Sequence, residues 1–377
     1  MMKPDVGIYI HVPFCRRKCL YCDFCSFTDT DESLRRRYVD ALVRELYAYR
    51  EKLAPYRVST VFIGGGTPSL LATEETERVF DALRNCFDLD ADAEITSEVN
   101  PATADGEKLA RWRALGINRL SIGVQSFSDA ELSALGRLHT ADGAEAFYRA
   151  ARRAGFGNIG MDLMYGIPGQ TKASLAATLH RMIGLAPEHI SAYSLQVEEG
   201  TPFYDRRETL ALPSDDENAD LYDLVTHTLA EAGYRHYEIS NYAKPGYESR
   251  HNLRYWRMSP YIGVGVAAYS YFEGERYGHG RDLSAYLADD FTRRPPAEPR
   301  GADDTEEEYI MLALRLADGI DDEDFRRSFG VTFTERYGAA MRAYAARGLA
   351  VGTGHGWALT DRGMYVSLAI LADLLDG

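Results

Sequence analysis

Short apolar, β-branched runs alternate with amphipathic stretches of helical period through the first two-thirds of the chain. The runs predict six strands, at residues 7–12, 58–63, 94–99, 119–124, 160–164 and 189–195. The stretches between them predict helices, at residues 34–52, 74–85, 107–115, 143–154 and 175–183. Such alternation indicates βαβ units and a parallel α/β sheet. The rhythm suits a partial (β/α)6 barrel, although an open doubly wound sheet fits almost as well.

The rhythm changes beyond residue 215. There the pattern predicts a helix at 218–231, a strand at 235–239, a Gly- and Tyr-rich stretch to about 277, and a proline-rich linker at 293–300. Helices at 305–316, 322–329 and 335–347, short strands at 349–351 and 357–359, and a last helix follow. Helices closed by a small hairpin resemble a winged-helix module. We therefore divide the chain into a partial barrel (1–215), a barrel-associated extension (216–292) and a mainly helical, winged-helix-like C-terminal domain (293–377).

Composition allows a large core and disfavours one class of partner. The chain has 377 residues, of which 45% are hydrophobic and 26% charged, as in ordinary globular proteins. Its formal net charge of −15 argues against a nucleic-acid surface, because phosphate binding requires clustered Lys and Arg. DNA binding by the winged-helix-like part is therefore the weaker interpretation, and we expect no nucleic-acid partner.

Cysteine use points to metal chemistry. Neither a secretory signal nor a long apolar run is visible in the sequence, so we expect a cytoplasmic protein without a membrane segment. Thiols stay reduced in that compartment, which makes the five cysteines poor disulfide candidates. Four of the five lie between Cys15 and Cys25, and Cys86 is expected to be a core residue within an amphipathic helix.

The segment Cys15-Arg-Arg-Lys-Cys19-Leu-Tyr-Cys22 directly follows the first predicted strand. Three thiolates within eight residues can face one soft metal centre from a single loop. A [4Fe–4S] cluster held by only three thiolates leaves one iron open to a small chelating ligand. Structural zinc is the alternative, although such sites usually pair two separated knuckles. Cys25 is either a fourth ligand or, as we favour, a small buried residue.

Polar residues follow the predicted strands at their carboxyl ends. Gly64-Gly65-Gly66-Thr67-Pro68 ends the second strand, where glycines let a ligand approach the backbone. Glu98 ends the third strand, Gln125 the fourth, and Asp162 lies near the end of the fifth. Each of these residues alone could be a helix cap or a polar surface group with no role in binding. Together they lie where the sites of barrels and open α/β sheets are built, which predicts a ligand site.

Cys-x3-Cys-x2-Cys after the first strand, with an aromatic residue before the last cysteine, resembles the motif of the radical S-adenosylmethionine (SAM) superfamily. The resemblance implies a partial (β/α)6 barrel in which SAM chelates the open iron. It also implies that one-electron transfer can release a 5′-deoxyadenosyl radical. The residues that the resemblance implies for SAM binding are Tyr9, Tyr21, Gly65, Gly66, Thr67, Glu98, Gln125, Arg137 and Asp162.

Three later segments, at 237–242, 251–256 and 261–270, resemble the group that contains oxygen-independent coproporphyrinogen III oxidase and the HemW-type haem chaperones. Three features favour the chaperones. Phe24 stands where the oxidase carries a further cysteine, few residues precede Cys15, and residues 251–256 match the His-Asn-x-x-Tyr-Trp motif of the haem-binding members. The resemblance implies haem binding by His251, Asn252, Tyr255 and Trp256, with His251 offering an imidazole for the iron.

The hypothesis from the sequence is a radical-SAM-type haem chaperone with three cofactors, a [4Fe–4S] cluster, SAM and haem. Its partner would be a haem-accepting apo-protein, and a respiratory enzyme would fit the family. One alternative is an oxygen-independent coproporphyrinogen III oxidase, which decarboxylates propionates by radical chemistry. The other is a zinc-stabilised binding module without redox chemistry. Whether SAM is cleaved in normal function stays open, and no catalytic residue is assigned.

Overall fold

The computed structural model describes residues 3–28, 31–299 and 301–375. Six parallel strands form its centre, and each corresponds to one of the six strands predicted from the sequence. They are β1 (Asp5–Val12), β2 (Arg57–Gly65), β3 (Leu89–Val99), β4 (Arg119–Gln125), β5 (Asn158–Tyr165) and β6 (His189–Ser194). Each strand hydrogen-bonds to the next in chain order, without a reversal. A doubly wound sheet reverses its strand order at a switch point, so the order identifies the barrel alternative.

Helices alternate with these strands, and most begin at an N-cap that the sequence supplies. They are α1 (Glu32–Ala48), α2 (Arg50–Leu53), α3 (Thr73–Cys86), α4 (Gly106–Ala114), α5 (Asp129–Ala134), α6 (Ala141–Arg153), α7 (Lys172–Leu185), α8 (Pro202–Asp205) and α9 (Asp215–Glu231). Asp31, Asp105, Thr140 and Thr171 accept backbone N–H groups at the starts of α1, α4, α6 and α7. The predicted helices, including the one at 218–231, are thereby confirmed.

The strands carry their apolar and polar residues on opposite faces. On β4, Leu120 and Ile122 are fully buried in the main hydrophobic core with residues of the surrounding helices. Ser121 and Gln125 point the other way and line the interior of the barrel. Because side chains alternate along a strand, the same division holds for its neighbours. The core of this barrel therefore lies between sheet and helices, and the barrel interior is polar.

The Gly- and Tyr-rich stretch is more regular than its composition suggests. It contributes β7 (Arg235–Glu238), β8 (Asn241–Ala243), α10 (Arg250–Trp256), β9 (Tyr261–Val264), β10 (Tyr269–Phe272), β11 (Glu275–Gly278) and α11 (Leu283–Ala288). These strands extend the same sheet, with β9 parallel to β1 and β8 antiparallel to β6. The end strands β11 and β7 do not pair within the described residues, so the barrel stays partial. Glycine serves close packing here, since a Cβ at Gly263 would lie 2.1 Å from the Tyr269 carbonyl oxygen.

The C-terminal part has the element order of a winged helix and its own hydrophobic core. Its elements are α12 (Ala302–Ala313), β12 (Ile320–Asp321), α13 (Asp322–Phe329), α14 (Phe333–Ala346), β13 (Ala350–Gly352), β14 (Gly356–Leu359), α15 (Asp361–Tyr365) and α16 (Ser367–Leu375). Strand β12, which the sequence pattern did not predict, completes a three-stranded sheet. The linker at 293–299 contains neither helix nor strand, and residue 300 lies outside the described residues. The domain boundaries stay predictions.

None of the helices in the described ranges is both long and apolar enough to span a bilayer.

Candidate functional site

A cavity of about 300 Å³ opens at the carboxyl ends of the barrel strands. Eleven of the residues predicted from the sequence line it together, and they come from the cysteine loop, from four strand ends and from the segment after α5. These eleven are Cys15, Cys19, Tyr21, Cys22, Gly65, Gly66, Thr67, Glu98, Gln125, Arg137 and Asp162. One face of one cavity therefore presents thiols, carboxylates, amides and a guanidinium to the same space.

The cysteine loop is closed at its base by backbone pairing. Phe14 and Phe27 form an isolated β-bridge, in which the Cys15 amide donates to the Phe27 carbonyl at 3.0 Å and the Phe27 amide donates to Pro13 at 2.7 Å. Within the loop the Cys22 amide donates to the Cys19 carbonyl at 3.2 Å. The closed base turns the three cysteines toward the cavity from one short segment.

Cys25 faces elsewhere. It is absent from the cavity lining among the described residues, and its thiol donates to the Arg281 carbonyl at 3.8 Å. The described part of the chain also has no group of three or more His, Cys, Asp or Glu side chains close enough to surround a single ion. A structural zinc ion would need such a group. A [4Fe–4S] cluster bonds each thiolate to a different iron, which allows the three sulfurs to stand further apart.

Donors surround the thiols from the side of the barrel. The Arg137 guanidinium donates to the Cys19 sulfur at 3.3 Å and also to the Gly123 carbonyl. The Thr67 hydroxyl lies 3.7 Å from the Cys15 sulfur. Arg17 holds Arg137 in turn, by donating to its carbonyl oxygen at 3.0 Å. Burial raises the pKa of the Cys15 thiol, and the Thr67 hydroxyl opposes that rise.

The glycines at the end of β2 bring that strand against the cysteine loop. A Cβ at Gly65 would lie 2.4 Å from the His11 ring, and Gly65 also has φ +109°, which L side chains rarely adopt. A Cβ at Gly66 would lie 2.7 Å from the Phe14 carbonyl oxygen. From the sequence, these glycines were predicted to allow the close approach of a ligand. In the structure, at least part of that space is filled by the protein's own β1 and loop.

Two buried acids stand at neighbouring strand ends. Glu98 accepts the Gly65 amide at 3.0 Å, and burial, followed by the charge of Asp162, raises its pKa to about 8. Asp162 accepts the Ser121 hydroxyl at 3.1 Å, and burial also raises its pKa. Gln125 has φ +69°, a left-handed conformation that is unfavourable for a non-glycine residue. Two carboxyl groups and the Gln125 side-chain amide in one cavity provide acceptors for ammonium and hydroxyl groups.

Tyr9 is the one predicted SAM residue outside the cavity lining. Its hydroxyl donates to His11 Nδ1 at 2.9 Å, and His11 Nε2 in turn donates to the Cys25 carbonyl at 2.9 Å. The Tyr9 ring stacks on Phe62 with a centroid distance of 6.2 Å. Tyr9 thus lies behind the cavity wall, where it reaches the cysteine loop through His11.

Tyr193 also lines the cavity, although the sequence analysis missed it. It stands on the inward face of β6, four residues after His189 and two after Ser191, so strand alternation alone could have found it. Ser121 was missed for the same reason, as an inward residue of β4. Arg17 and Lys18 of the cysteine loop complete the rim.

The His-Asn-x-x-Tyr-Trp motif lies at the opposite end of the barrel. It forms α10, whose His251 is fully buried beneath β2. Its Nδ1 is hydrogen-bonded to the Thr60 hydroxyl at 2.8 Å and its Nε2 to the Tyr255 hydroxyl at 2.9 Å. Burial, then the charges of Arg254 and Arg119, lower the pKa of His251 to about 3. The structure therefore does not bring the predicted haem residues together with the cavity.

The other motif residues connect α10 to its surroundings. The Asn252 amide donates to the N-cap Ser249 at 3.3 Å. The Tyr255 ring meets Tyr261 edge-to-face at a centroid distance of 4.7 Å. Trp256 lies under the Arg315 guanidinium, 5.5 Å from it, at the contact with the C-terminal part. In this conformation the motif closes the amino end of the barrel.

Comparisons with known proteins match the barrel and the C-terminal part separately. Residues 9–182 match the model of the radical SAM superfamily, and residues 302–366 match that of the HemN C-terminal domain. The chain is 36% identical to the haem chaperone HemW of Lactococcus lactis over 90% of this chain and 88% of that protein. The chain belongs to the HemW family. The Escherichia coli HemW is 41% identical over 71% of this chain and 70% of its own length.

A solved structure matches the whole HemW-family fold. Coproporphyrinogen III oxidase HemN from E. coli, described as a radical SAM enzyme, superposes with a TM-score of 0.85 and 25% identity, covering 100% of this chain and 90% of that chain. Superfamily membership implies a [4Fe–4S] cluster and SAM as cofactors. The superfamily match ends within α7, so it includes every predicted cluster and SAM residue and none of the predicted haem residues.

Proposed function

We propose that this protein is a haem chaperone that holds a [4Fe–4S] cluster on Cys15, Cys19 and Cys22 and SAM beside it. The observation that carries the proposal is the single cavity, which three thiols, two buried acids and strand-end amides line together. The donor set fits the cluster, since three thiols with a nearby guanidinium suit a thiolate-ligated centre with one open iron. When bound, the cluster would supply one-electron chemistry to SAM.

The chain's own residues would then divide the binding of SAM. Glu98 and Asp162 accept hydrogen bonds from its ammonium or ribose hydroxyls. Arg137 stands between the thiols and Gly123, where it balances negative charge. Tyr21 and Met164 cover the cavity from the loop and from β5, which limits access of water. Tyr9 acts from behind, through His11, on the position of the cysteine loop.

Haem and its acceptor enter the proposal through the HemW relatives. We propose that haem is bound and then handed to an apo-protein, with a respiratory haem enzyme as the acceptor and the cytoplasm as the compartment. The predicted haem residues at 251–256 remain a prediction. His251 can ligate iron only if one of its bonds, to Thr60 or to Tyr255, is broken and the buried ring becomes accessible.

One anaerobic preparation tests the proposal. The protein is reconstituted with iron and sulfide, titrated with haem, and mixed with the apo-form of a haem-containing respiratory enzyme. We expect cluster absorbance, a haem spectrum that saturates near one equivalent, and recovery of the acceptor's activity. Free haem at the same concentration, with serum albumin as a competing trap, is the control for unassisted transfer. If recovery is no faster from the protein than from albumin-bound haem, the chaperone proposal fails.

The oxidase is the second candidate, because the HemN fold matches this chain along its whole length. It is distinguished in the same preparation by adding coproporphyrinogen III, SAM and a reductant. The chaperone proposal predicts no protoporphyrinogen and no loss of carbon dioxide from the propionates. Multiple turnovers would establish the oxidase instead. Stoichiometric zinc without reconstitutable cluster absorbance would overturn both.

A further inference from the structure

Arg119 is a buried cation without an anionic partner. It begins β4 on the inward face of the barrel, opposite Thr96 of β3 and Asn158 of β5, and is 1% exposed. Within the described residues no carboxylate forms an ion pair with it, and its Nε has no hydrogen-bond partner. Burial of an unpaired charge is costly, so its retention calls for a compensating interaction at longer range.

Two groups beside Arg119 are neutral. Its Nη2 and the unpaired Nδ1 of His189 converge over Gly160, at 3.5 and 3.3 Å from the position a Cβ would occupy there. His189 Nε2 is bonded to the Tyr237 hydroxyl at 2.8 Å. Burial, followed by the charge of Arg119, lowers the pKa of His189, and burial raises the pKa of Tyr237, so neither carries charge near neutrality.

Asp162 is a candidate for compensation, because the Arg119 charge acts on it and it belongs to the cavity. Ser121, whose hydroxyl donates to Asp162 at 3.1 Å, stands two residues beyond Arg119 on the same face of β4. The guanidinium lies beside Gly160, two residues before Asp162 on β5, and two residues along a strand span roughly 7 Å, so it lies about one such step below the carboxylate. At that separation two opposite charges inside a protein still interact substantially.

Several other groups also face Asp162. They are Ser191 and Tyr193 of β6, Glu98 of β3, Ser121 of β4 and Arg137 of the segment after α5. Burial raises the pKa of Asp162, and the Ser121 and Ser191 hydroxyls and then the Arg119 and Arg137 charges oppose that rise. Arg137 also contacts the Cys19 sulfur, which shares its charge with the cluster loop.

We propose that Arg119 is a positioning residue of the cofactor pocket, whose buried positive charge keeps the Asp162 carboxylate ionised and able to accept hydrogen bonds from SAM. Arg119 touches neither cofactor nor cluster in this role, because it acts through Asp162 from beneath. The inference rests on the proposed SAM site. It adds that a residue of the polar barrel interior, below the pocket, determines the charge of Asp162 within the pocket.

The test is the pH dependence of SAM binding to the cluster-reconstituted protein, measured anaerobically by equilibrium dialysis. Without Arg119 the Asp162 pKa rises further, so more of the carboxyl is protonated at low pH. Arg119→Met is expected to weaken binding about tenfold or more at pH 6.5 and to approach wild type at pH 8.5. Arg119→Lys, which keeps the charge, is expected to stay within about threefold of wild type at both values.

Arg254→Met is the matched control. Arg254 is a second buried arginine at the same end of the barrel, but it is paired with Asp5 and bonded to Thr60. Its loss removes the same charge without facing Asp162, so the pH profile should not move. A wild-type profile in Arg119→Met, or equal losses in the Met and Lys variants, would overturn the proposal.

Failure of this inference is distinguishable from failure of the proposed function. Glu98→Gln and Asp162→Asn enter the same assay, and if neither weakens SAM binding, the site itself is wrong. If they do and Arg119→Met does not, only the role of Arg119 is wrong. Should Arg119→Met be insoluble, an infrared titration of wild type against Asp162→Asn decides: an ionised Asp162 at pH 6.5 supports the inference, and a protonated one refutes it.

Discussion

The two ends of the barrel interior are built from the same kinds of residues and differ in how those residues are used. At the carboxyl end, Glu98 and Asp162 face an open cavity with acceptor capacity to spare. At the amino end, His251 has both ring nitrogens bonded, and Arg254 is bonded to Thr60, Ser59 and Asp5. The acids at the first end await a ligand, whereas the residues around α10 at the second end satisfy one another; Arg119 Nε and His189 Nδ1, deeper in the interior, are unpaired.

This difference separates a ligand site from a structural network where composition does not. A buried polar group costs free energy unless it is hydrogen-bonded, and internal partners remove that cost for His251 and Arg254 at the amino end. At the carboxyl end, which we call the mouth, Glu98 and Asp162 remain without enough partners and that free-energy cost persists. This is usual for a binding site, where stability is given up for function. Substitutions at the mouth should therefore reduce cofactor binding without destabilising the fold. Substitutions around α10 at the amino end, which we call the floor, should destabilise the fold without reducing cofactor binding.

The largest expected effect is at the mouth. Cys22→Ala removes one of three cluster thiolates, and we expect more than about 90% of the cluster absorbance to be absent after anaerobic reconstitution. The thermal midpoint of the metal-free protein should be unchanged, because Cys22 is only partly buried. Absorption and electron paramagnetic resonance spectra, with an iron determination, measure the effect.

Cys25→Ala is the control within the same loop. Its thiol faces the Arg281 carbonyl and not the cavity, so the cluster should form with wild-type iron content. If Cys25→Ala loses the cluster and Cys22→Ala keeps it, the assignment of ligands within the loop is wrong. Equal partial losses in both variants would point to a fourth thiolate and would remove the open iron.

The floor gives the intermediate effect. His251→Ala leaves the Thr60 and Tyr255 hydroxyls without this partner and opens a space against Phe62, which the imidazole stacks on at 5.4 Å. We expect the free energy of unfolding to fall by about 2–4 kcal/mol, with cluster content per folded protein retained. Denaturant titration followed by circular dichroism measures the loss.

Asn252→Ala, one residue along α10, is the stability control, and about 1 kcal/mol or less is expected since Asn252 is only partly buried. A haem titration on the same two variants tests the separate prediction of haem ligation. A loss of haem affinity in folded His251→Ala would show that the buried His251 ring becomes accessible to bind haem. An intact fold in His251→Ala would contradict the contrast between mouth and floor.

Much of the fold followed from the sequence because period and position were sufficient. The six strands and their helices were predicted correctly, since apolar residues alternate with polar ones on each strand and the helices carry clear caps. Strand order was not predictable, because periodicity is the same in a barrel and in a doubly wound sheet. Strands β9 to β11 escaped prediction because glycine and tyrosine dominate there, and their short runs depend on pairing with β1.

The site divides in the same way. Cys15, Cys19 and Cys22 were predictable from spacing, and Glu98, Gln125 and Asp162 from their places at strand ends. Tyr193 was missed because no motif marks it, although strand alternation on β6 places it on the inward face. The location of residues 251–256 was not predictable either, because a histidine beside aromatic residues has the same sequence in a haem site and in a closed hydrogen-bonded network.

The smallest expected effect is the change in stability on replacing Glu98, which measures the free-energy cost of burying this acid at the mouth. Glu98 keeps its proton in the folded protein up to about pH 8, whereas the unfolded chain releases it near the ordinary carboxyl pKa of 4.5. The folded pKa is raised, so this contribution to stability is complete below pH 4.5 and is lost as pH rises through 8. Glu98→Gln has no proton to lose and can still accept the Gly65 amide. We therefore expect SAM-free Glu98→Gln to match wild type at pH 5.

At pH 8.5 the same variant should unfold roughly 2–4 °C above wild type, by differential scanning calorimetry without SAM. Glu307→Gln, which changes an exposed carboxylate on α12, should show no such pH-dependent gap. If Glu98→Gln is more stable than wild type but binds SAM less well, Glu98 lowers the stability of the folded protein and is needed for its ligand. If the stability difference between Glu98→Gln and wild type is the same at pH 8.5 and at pH 5, burial of Glu98 carries no such cost. The acids of the mouth would then be as fully hydrogen-bonded as the residues of the floor, and the contrast between the two ends would disappear.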